Sequence, residues 1–215
     1  MSTVRQVASR ARRRDILHAA LVLFVEHGVG ETTVDDIRER SAASVGSIYH
    51  HFGGGKDDIA ATLYLETISE YQAGFLTELR LHHQAATGVK ATVRYHLDWV
   101  ESHRDAARFL FNYGEVELPS RTNRELAELN RRLFAEVRTW ATEVGAAELM
   151  DLPIDLVTAI WLGPAQQFAR RWLSGGGTSS IDQAGQVLAD GAWAALSAAA
   201  DMKARTGRHG ANRRR

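Results

Sequence analysis

A chain of 215 residues with no cysteine excludes a disulfide framework and a thiolate nucleophile, and its length allows one large domain or two modest ones. The 26 basic and 26 acidic residues cancel, but unevenly: residues 1–56 carry +2, residues 57–200 carry −7 and residues 201–215 carry +5. An acidic body therefore lies between two basic ends. Three prolines, abundant alanine and leucine, and few β-branched runs predict an all-α fold. The arginine-rich start has no apolar core and is no secretory signal. The longest apolar runs, such as Ala19 to Val25, are far too short to span a bilayer, which with the missing disulfides fits a cytoplasmic protein.

Arg5, Arg10, Arg12, Arg13 and Arg14 form a basic N-terminal arm suited to phosphate contact, or equally a solvated tail. The first helix is predicted over about Ser9 to His27, with Ile16, Ala20, Leu23 and Phe24 as its buried stripe and Gly28 ending it. Thr33 is a good N-cap, answered by Asp36 three residues on, for a helix running to about Arg40 with Val34 and Ile37 on one face. Ser41-Ala42-Ala43 makes a turn, and Ser44 caps a second short helix, Val45 to Phe52, whose Ile48 and Phe52 point inward. Ser47, Tyr49 and His50 are left on the outside or the rim. So short a helix is marginal alone and must be held by its neighbours. This is the pattern of a helix-turn-helix, whose second helix enters the DNA major groove; the plain alternative is a small helical hairpin. Gly46 costs helix stability, and close approach to a phosphate or sugar would justify it. Tyr49 and Lys56 bracket the helix with two natural phosphate partners.

Phe24, Gly28, Thr33, Val34, Ile37, Ser44, Gly46, Ile48, Tyr49, His51, Phe52 and Lys56 together resemble the TetR/AcrR family of bacterial transcriptional regulators. The resemblance covers about residues 10–65 and continues beyond them only as an all-helical pattern. Three departures stand out: Arg38 occupies a usually small position, Ala42 replaces a turn glycine, and three glycines precede Lys56. The first suggests an arginine swinging toward the DNA backbone, and the last alters the reach of Lys56. The resemblance implies Ser44, Val45, Gly46, Ser47, Tyr49 and His50 at the groove, with Thr33 and Lys56 on phosphates.

The rest reads as a helical body. A long helix is predicted from Lys56 towards His82, with Gly74 as a place to bend; Gly88 breaks the pattern, and helices follow over about Val89–Ser102, Arg104–Tyr113 and Asn123–Glu143. The stretch between Tyr113 and Asn123 is loop-like, and its Glu115 and Glu117 would meet a cationic ligand or simply lie exposed. Two strongly apolar helices follow, about Ile154–Leu173 and Ser180–Ala200, the first kinked at Gly163-Pro164. The kink would open a cavity wall or adjust packing.

Aromatic residues on several faces of these last helices point to a two-fold interface through Trp172, Leu188, Trp193 and Leu196. The resemblance implies the same pair forming a four-helix dimer. It also implies an apolar effector pocket, for which Trp99, His103, Phe109, Tyr113, Phe134, Trp161, Gln167 and Phe168 are the candidates, with His103, Tyr113 and Gln167 as its polar groups, although aromatic residues in such helices are more often core.

Catalytic signatures are missing: there is no nucleophile elbow, P-loop or dinucleotide fingerprint. Asp35-Asp36 superficially resembles an aspartate-rich metal motif, but its helix starts at a cap and has no second motif. The histidines at 50, 51, 82, 83, 96 and 103 have no metal-ligand spacing, so no metal or cofactor is expected.

The expected architecture is a three-helix head at residues 1–56, a ligand-binding and dimerisation body at 57–201 and a basic tail at 202–215, disordered by default. The expected function is a dimeric regulator on an inverted-repeat operator, released by a small molecule. The alternatives are a carrier or enzyme with a vestigial head, which would lack salt-dependent affinity for random duplex, and a repressor controlled by a protein partner.

Overall fold

The computed structural model describes residues 2–113 and 120–212, with side chains for 5–113 and 121–203. Glu115, Glu117 and most side chains of the basic tail lie outside the described residues. The regular structure within them is helical: α1 (Ser2–Glu31), α2 (Val34–Ser41), α3 (Val45–His51), α4 (Lys56–Arg80), α5 (Ala85–Ser102), α6 (Arg104–Asn112), α7 (Ser120–Glu143), α8 (Ile154–Trp161), α9 (Gly163–Leu173) and α10 (Ile181–Asn212). A 3-10 turn, Ala147–Met150, lies between α7 and α8. Among the described residues no helix is long and apolar enough to cross a membrane.

The chain divides into two compact units, residues 1–70 with 104–127, and residues 71–103 with 128–215. The first is built on the expected stripe of α1: Ile16, Ala20, Leu23 and Phe24 pack with Ile37 of α2, Ile48 and Phe52 of the α3 segment, and Ile59 of α4. Phe109 of α6 stacks on Phe24 with ring centroids 5.8 Å apart. Helix α1 starts at Ser2, earlier than the periodicity indicates, because its first turns carry no apolar stripe to announce them. Gly28 interrupts it with φ 81° and ψ 160°, a backbone conformation open to glycine alone. The buried Thr32 hydroxyl donates to the Gly28 carbonyl at 2.8 Å, satisfying one of the acceptors freed there.

In the second unit α10 packs along α5, with Val89, Val93, Leu97 and Val100 on the buried face of α5. α5 begins at Ala85, so Gly88 lies inside the helix rather than before it. Close packing explains this glycine. A Cβ on it would stand 2.3 Å from Cζ2 of Trp140, whose indole N–H is fixed on the His82 carbonyl at 2.9 Å. Gly74 has a similar role, since its Cβ would meet the Tyr95 hydroxyl, which donates to the Tyr71 carbonyl. It admits a neighbouring side chain instead of bending α4.

Gly88→Ala should therefore lower stability by about 1–3 kcal/mol through overpacking, despite the roughly 1 kcal/mol that alanine gains in an open helix. Urea titration checks the sign, because an uncrowded helical glycine would give the opposite result.

The expected kink near Gly163-Pro164 is an interruption at Leu162, whose N–H still donates to the Thr158 carbonyl at 3.0 Å. α8 ends at Trp161, Leu162 lies between, and Pro164 occupies the first turn of α9, where its missing N–H is harmless. α10 runs on past Ala200 to Asn212.

Candidate nucleic-acid interface

The hairpin α2–α3 is assembled by caps. The Thr33 backbone N–H and hydroxyl both donate to the Asp36 carboxylate, at 2.8 and 2.7 Å, and the Asp36 N–H donates back to the Thr33 hydroxyl at 3.2 Å. The Thr33 hydroxyl and N–H hold the Asp36 carboxyl below its ordinary range. α2 closes at Ala42, which adopts φ 50° and ψ 28°, the left-handed C-cap conformation. The buried Ser41 hydroxyl donates to the Ile37 carbonyl at 2.6 Å and accepts from the Ala43 N–H at 3.3 Å, locking the turn. Ser44 then caps α3 by accepting from the Ser47 N–H at 3.1 Å.

Ala42 is the position where the resembled pattern has glycine, and the structure gives the reason. A side chain in left-handed geometry costs about 1–2 kcal/mol, part of which glycine returns through its looser unfolded state. Ala42→Gly should raise stability by about 0.5–1 kcal/mol, read as a rise in thermal midpoint. A fall would mean that the turn does not adopt this conformation.

α3 is seven residues long. Ile48 and the following Phe52 are buried to 1% exposure or less and anchor it. Its other face is open: Val45 is 47% exposed and Tyr49 50%, unusual for large apolar side chains, with Ser44, Gly46 and His50 also exposed and Ser47 half-buried. A Cβ on Gly46 would meet nothing within 4 Å, so nothing in its own chain requires the glycine. Tyr49 lies beside Gly55, whose φ of 64° allows the chain to turn into α4. Neighbouring His51 is partly enclosed, and burial, followed by the charges of His50 and Arg13, lowers its pKa.

Around the hairpin, basic side chains take two roles. Lys56 donates to the Gly30 carbonyl at 2.9 Å, tying the start of α4 to the end of α1. Arg38 is held at 2.9 Å by Asp35 and 3.1 Å by Glu39, both on α2 itself. Arg12 donates to the Ser41 and Ala42 carbonyls at 3.5 Å, where a cation suits a helix C-terminus. Arg13 pairs with Glu66 at 2.6 Å and lies 5.5 Å over the Phe52 ring. Nothing in the sequence marks Arg12 and Arg13 as structural, because their partners lie 29 or more positions away.

Residues 16–63, containing this hairpin, match the family model described as "Bacterial regulatory proteins, tetR family".

These residues form a TetR-family DNA-binding head.

The chain is accordingly a DNA-binding transcriptional regulator. The HTH-type transcriptional repressor KstR2 of Mycobacterium tuberculosis is 25% identical to this chain over 191 residues, covering 82% of this chain and 88% of KstR2. Among solved structures, a TetR family transcription regulator from Marinobacter aquaeolei aligns with TM-score 0.71 at 14% identity, covering 88% of this chain and 97% of that one. FadR from Bacillus subtilis in complex with stearoyl-CoA aligns with TM-score 0.66 at 15% identity, covering 82% and 95%. These structures share the TetR fold.

The residues named for an effector pocket fall in both units. Phe109 and Tyr113 are buried in the first, stacked on each other at 5.2 Å. Trp99, His103, Phe134, Trp161, Gln167 and Phe168 belong to the second. There Trp99 and Trp161 are buried, Phe134 and Phe168 half-buried, and Gln167 exposed. His103 stacks on Trp99 at 5.1 Å, and the Trp161 indole donates to the Thr92 hydroxyl at 3.1 Å. Trp99 also meets Tyr71 edge-on at 5.1 Å, and Tyr71 shares a 2.9 Å hydrogen bond with Nδ1 of His96. The sequence offers His96 only as a histidine without metal-ligand spacing, and nothing in it pairs this residue with Tyr71.

Of the residues named for a dimer interface, Trp172, Leu188 and Trp193 are half-buried, whereas Leu196 is 1% exposed and packs inside its own protomer. The most open large apolar side chains on α8 and α10 are instead Val187, 71% exposed, Met202, 69%, and Leu156, 48%.

Proposed function

We propose that this TetR-family regulator is a dimeric repressor that binds an inverted-repeat operator and is released by a small apolar or amphipathic effector. In this reading residues 1–56 are the DNA-reading part, 57–201 hold the effector and dimer surfaces, and 202–215 are a basic tail. Ser44, Val45, Gly46, Ser47, Tyr49 and His50 meet the major groove and its edges, with Thr33 and Lys56 on phosphates. The observation that carries this is the division of α3, with Ile48 and Phe52 completely enclosed while Val45 and Tyr49 are half open to solvent on the other side. Repression is supported by the description of KstR2 as a repressor, and an amphipathic effector by the stearoyl-CoA held in Bacillus subtilis FadR. Effector binding in the second unit favours a state whose paired heads no longer fit successive grooves. The regulator works in the cytoplasm, on duplex DNA.

Selection of bound duplexes from a random pool tests the reading. A recovered site with two inverted halves spaced by about one helical turn supports the dimer and its symmetry. A folded protein that retains no duplex in dilute buffer without effector overturns it.

A further inference from the structure

The exposed side chains of α3 differ in where they stand on the helix. Ile48 is buried, as is Phe52 four residues on, and together they mark the side that faces the core. His50 comes two residues after Ile48, about 200° round the helix from it, and is exposed. Tyr49 comes one residue after Ile48 and stands on a flank, at about 100°. A short helix laid in a groove with its anchored side to the protein meets the backbone walls with its flanks. Its opposite side, where His50 lies, meets the base edges.

Gly46 lies four residues before His50 and shares its face. Helical side chains lean toward the N-terminus, so the imidazole leans toward Gly46. Where any other residue would carry a Cβ at position 46, nothing stands within 4 Å. The glycine thus leaves an open recess beside the imidazole, through which a base edge can reach it.

The charges around the hairpin point to the same ring. Among the described residues no hydrogen bond or ion pair engages His50, and its neighbour is the His51 ring, edge-on at 5.1 Å. On α1, Arg13 pairs with Glu66 of α4. On α2, Arg38 is held by Asp35 and Glu39, Asp36 by Thr33, and Arg40 by Glu26 of α1. α4 opens with Lys56, tied to the Gly30 carbonyl, and with Asp57 and Asp58, none of them paired with His50. His51 is partly enclosed, and its burial, then the charges of His50 and Arg13, favour its neutral form. Of the two adjacent rings, His50 is therefore the one that takes up a proton. Histidine changes charge between pH 5 and 8, and the phosphates of a duplex favour its cationic form.

We propose that His50 is a specificity-determining residue, which donates to the N7 and O6 edge of a guanine in each half-site and takes up a proton as it binds. This rests on the reading that α3 meets DNA. Guanine is the base whose major-groove edge offers two acceptors side by side, the partner that suits a cationic donor. Proton uptake also sets a direction. The bound imidazole holds its proton to higher pH than the free one, so operator affinity rises as pH falls through the bound value and levels off below the free value.

The test compares full-length wild type with His50→Gln, an exposed change that should leave the thermal midpoint where it is. Each protein selects duplexes from a random pool, and its affinity for its own selected site is measured at about pH 8 and about pH 6 at constant salt. For a rise of one pKa unit on binding, wild type should gain about fivefold in affinity per protomer between these two values, and the glutamine variant should lack that gain. One position in each half-site should lose its preference for guanine, with adenine as the base that glutamine favours. The same preferred bases in both proteins overturn the proposal, even if the pH dependence changes, because the ring would then lie on a phosphate. A pH dependence that persists in the glutamine variant overturns it as well. Either result leaves the role of α3 standing, whereas wild type that binds no duplex at any salt overturns both.

Discussion

Gly46→Ala should make the free protein more stable and its hold on DNA weaker. In the free protein the added methyl meets nothing within 4 Å, and alanine is favoured over glycine inside a helix by about 1 kcal/mol. If α3 lies against a duplex, the same methyl keeps the backbone from a phosphate or sugar, and an affinity loss of about tenfold corresponds to about 1.4 kcal/mol. Opposite signs from one methyl separate a contact residue from a structural one, since a merely structural glycine would move both quantities together. Thermal unfolding and gel shift on the same preparation give the two signs, and DNA affinity that is unchanged or improved would remove Gly46 from the interface. Tyr49→Ala sharpens the comparison. Its phenol is uncharged, so its loss should weaken binding on every sequence without altering the salt slope, whereas Lys56→Ala should lower that slope by about 0.9.

Acid should weaken the second unit through His96. This imidazole is buried beside Tyr71, and its burial lowers the pKa from an ordinary 6.5 to about 4. The unfolded chain therefore binds a proton on His96 at higher pH than the folded chain does. Above about pH 6.5 neither form is charged and the full stability is present. Between pH 6.5 and 4 the unfolded state alone gains the proton, and stability falls by roughly 3 kcal/mol; below pH 4 both are protonated and this loss stops growing. Urea titrations at pH 7 and pH 4.5 on wild type and His96→Gln check it. Carboxylates contribute their own acid dependence to both proteins, so the His96 contribution is the amount by which the variant's loss is smaller. Equal losses in the two proteins would show that His96 is not buried in its neutral form.

How far the sequence reveals this protein depends on the range of the interactions involved. The hairpin was legible because its determinants are local. Thr33 and Asp36 are three positions apart, Ser44 and Ser47 likewise, and Ile48 and Phe52 mark an inward face at helical spacing. The departure at Ala42 was visible too, but only the structure shows a left-handed alanine bearing strain there. Gly74 and Gly88 were read as a bend and a break because a sequence cannot show a ring packed against a helix backbone. Their partners, Tyr95 and Trp140, lie 21 and 52 positions away. The arm arginines had the same limitation. Five identical side chains look alike in sequence, and only the folded chain gives Arg12 the carbonyls of the α2–α3 turn and Arg13 the carboxylate of Glu66. Most effector candidates rest on aromatic content, a property shared by core and pocket, and Phe109 and Tyr113 join the first unit's core, while Gln167, expected as a polar group of the pocket, is exposed.

The anchoring of α3 by little more than Ile48 and Phe52 also bears on how such a regulator diversifies. Val45, Gly46, Ser47, Tyr49 and His50 bear almost none of the burden of folding, so mutation can rewrite them while the scaffold stays intact. A gene duplicate could drift toward a new target without passing through an unfolded ancestor, and a randomised library at these five positions should consist largely of well-folded proteins.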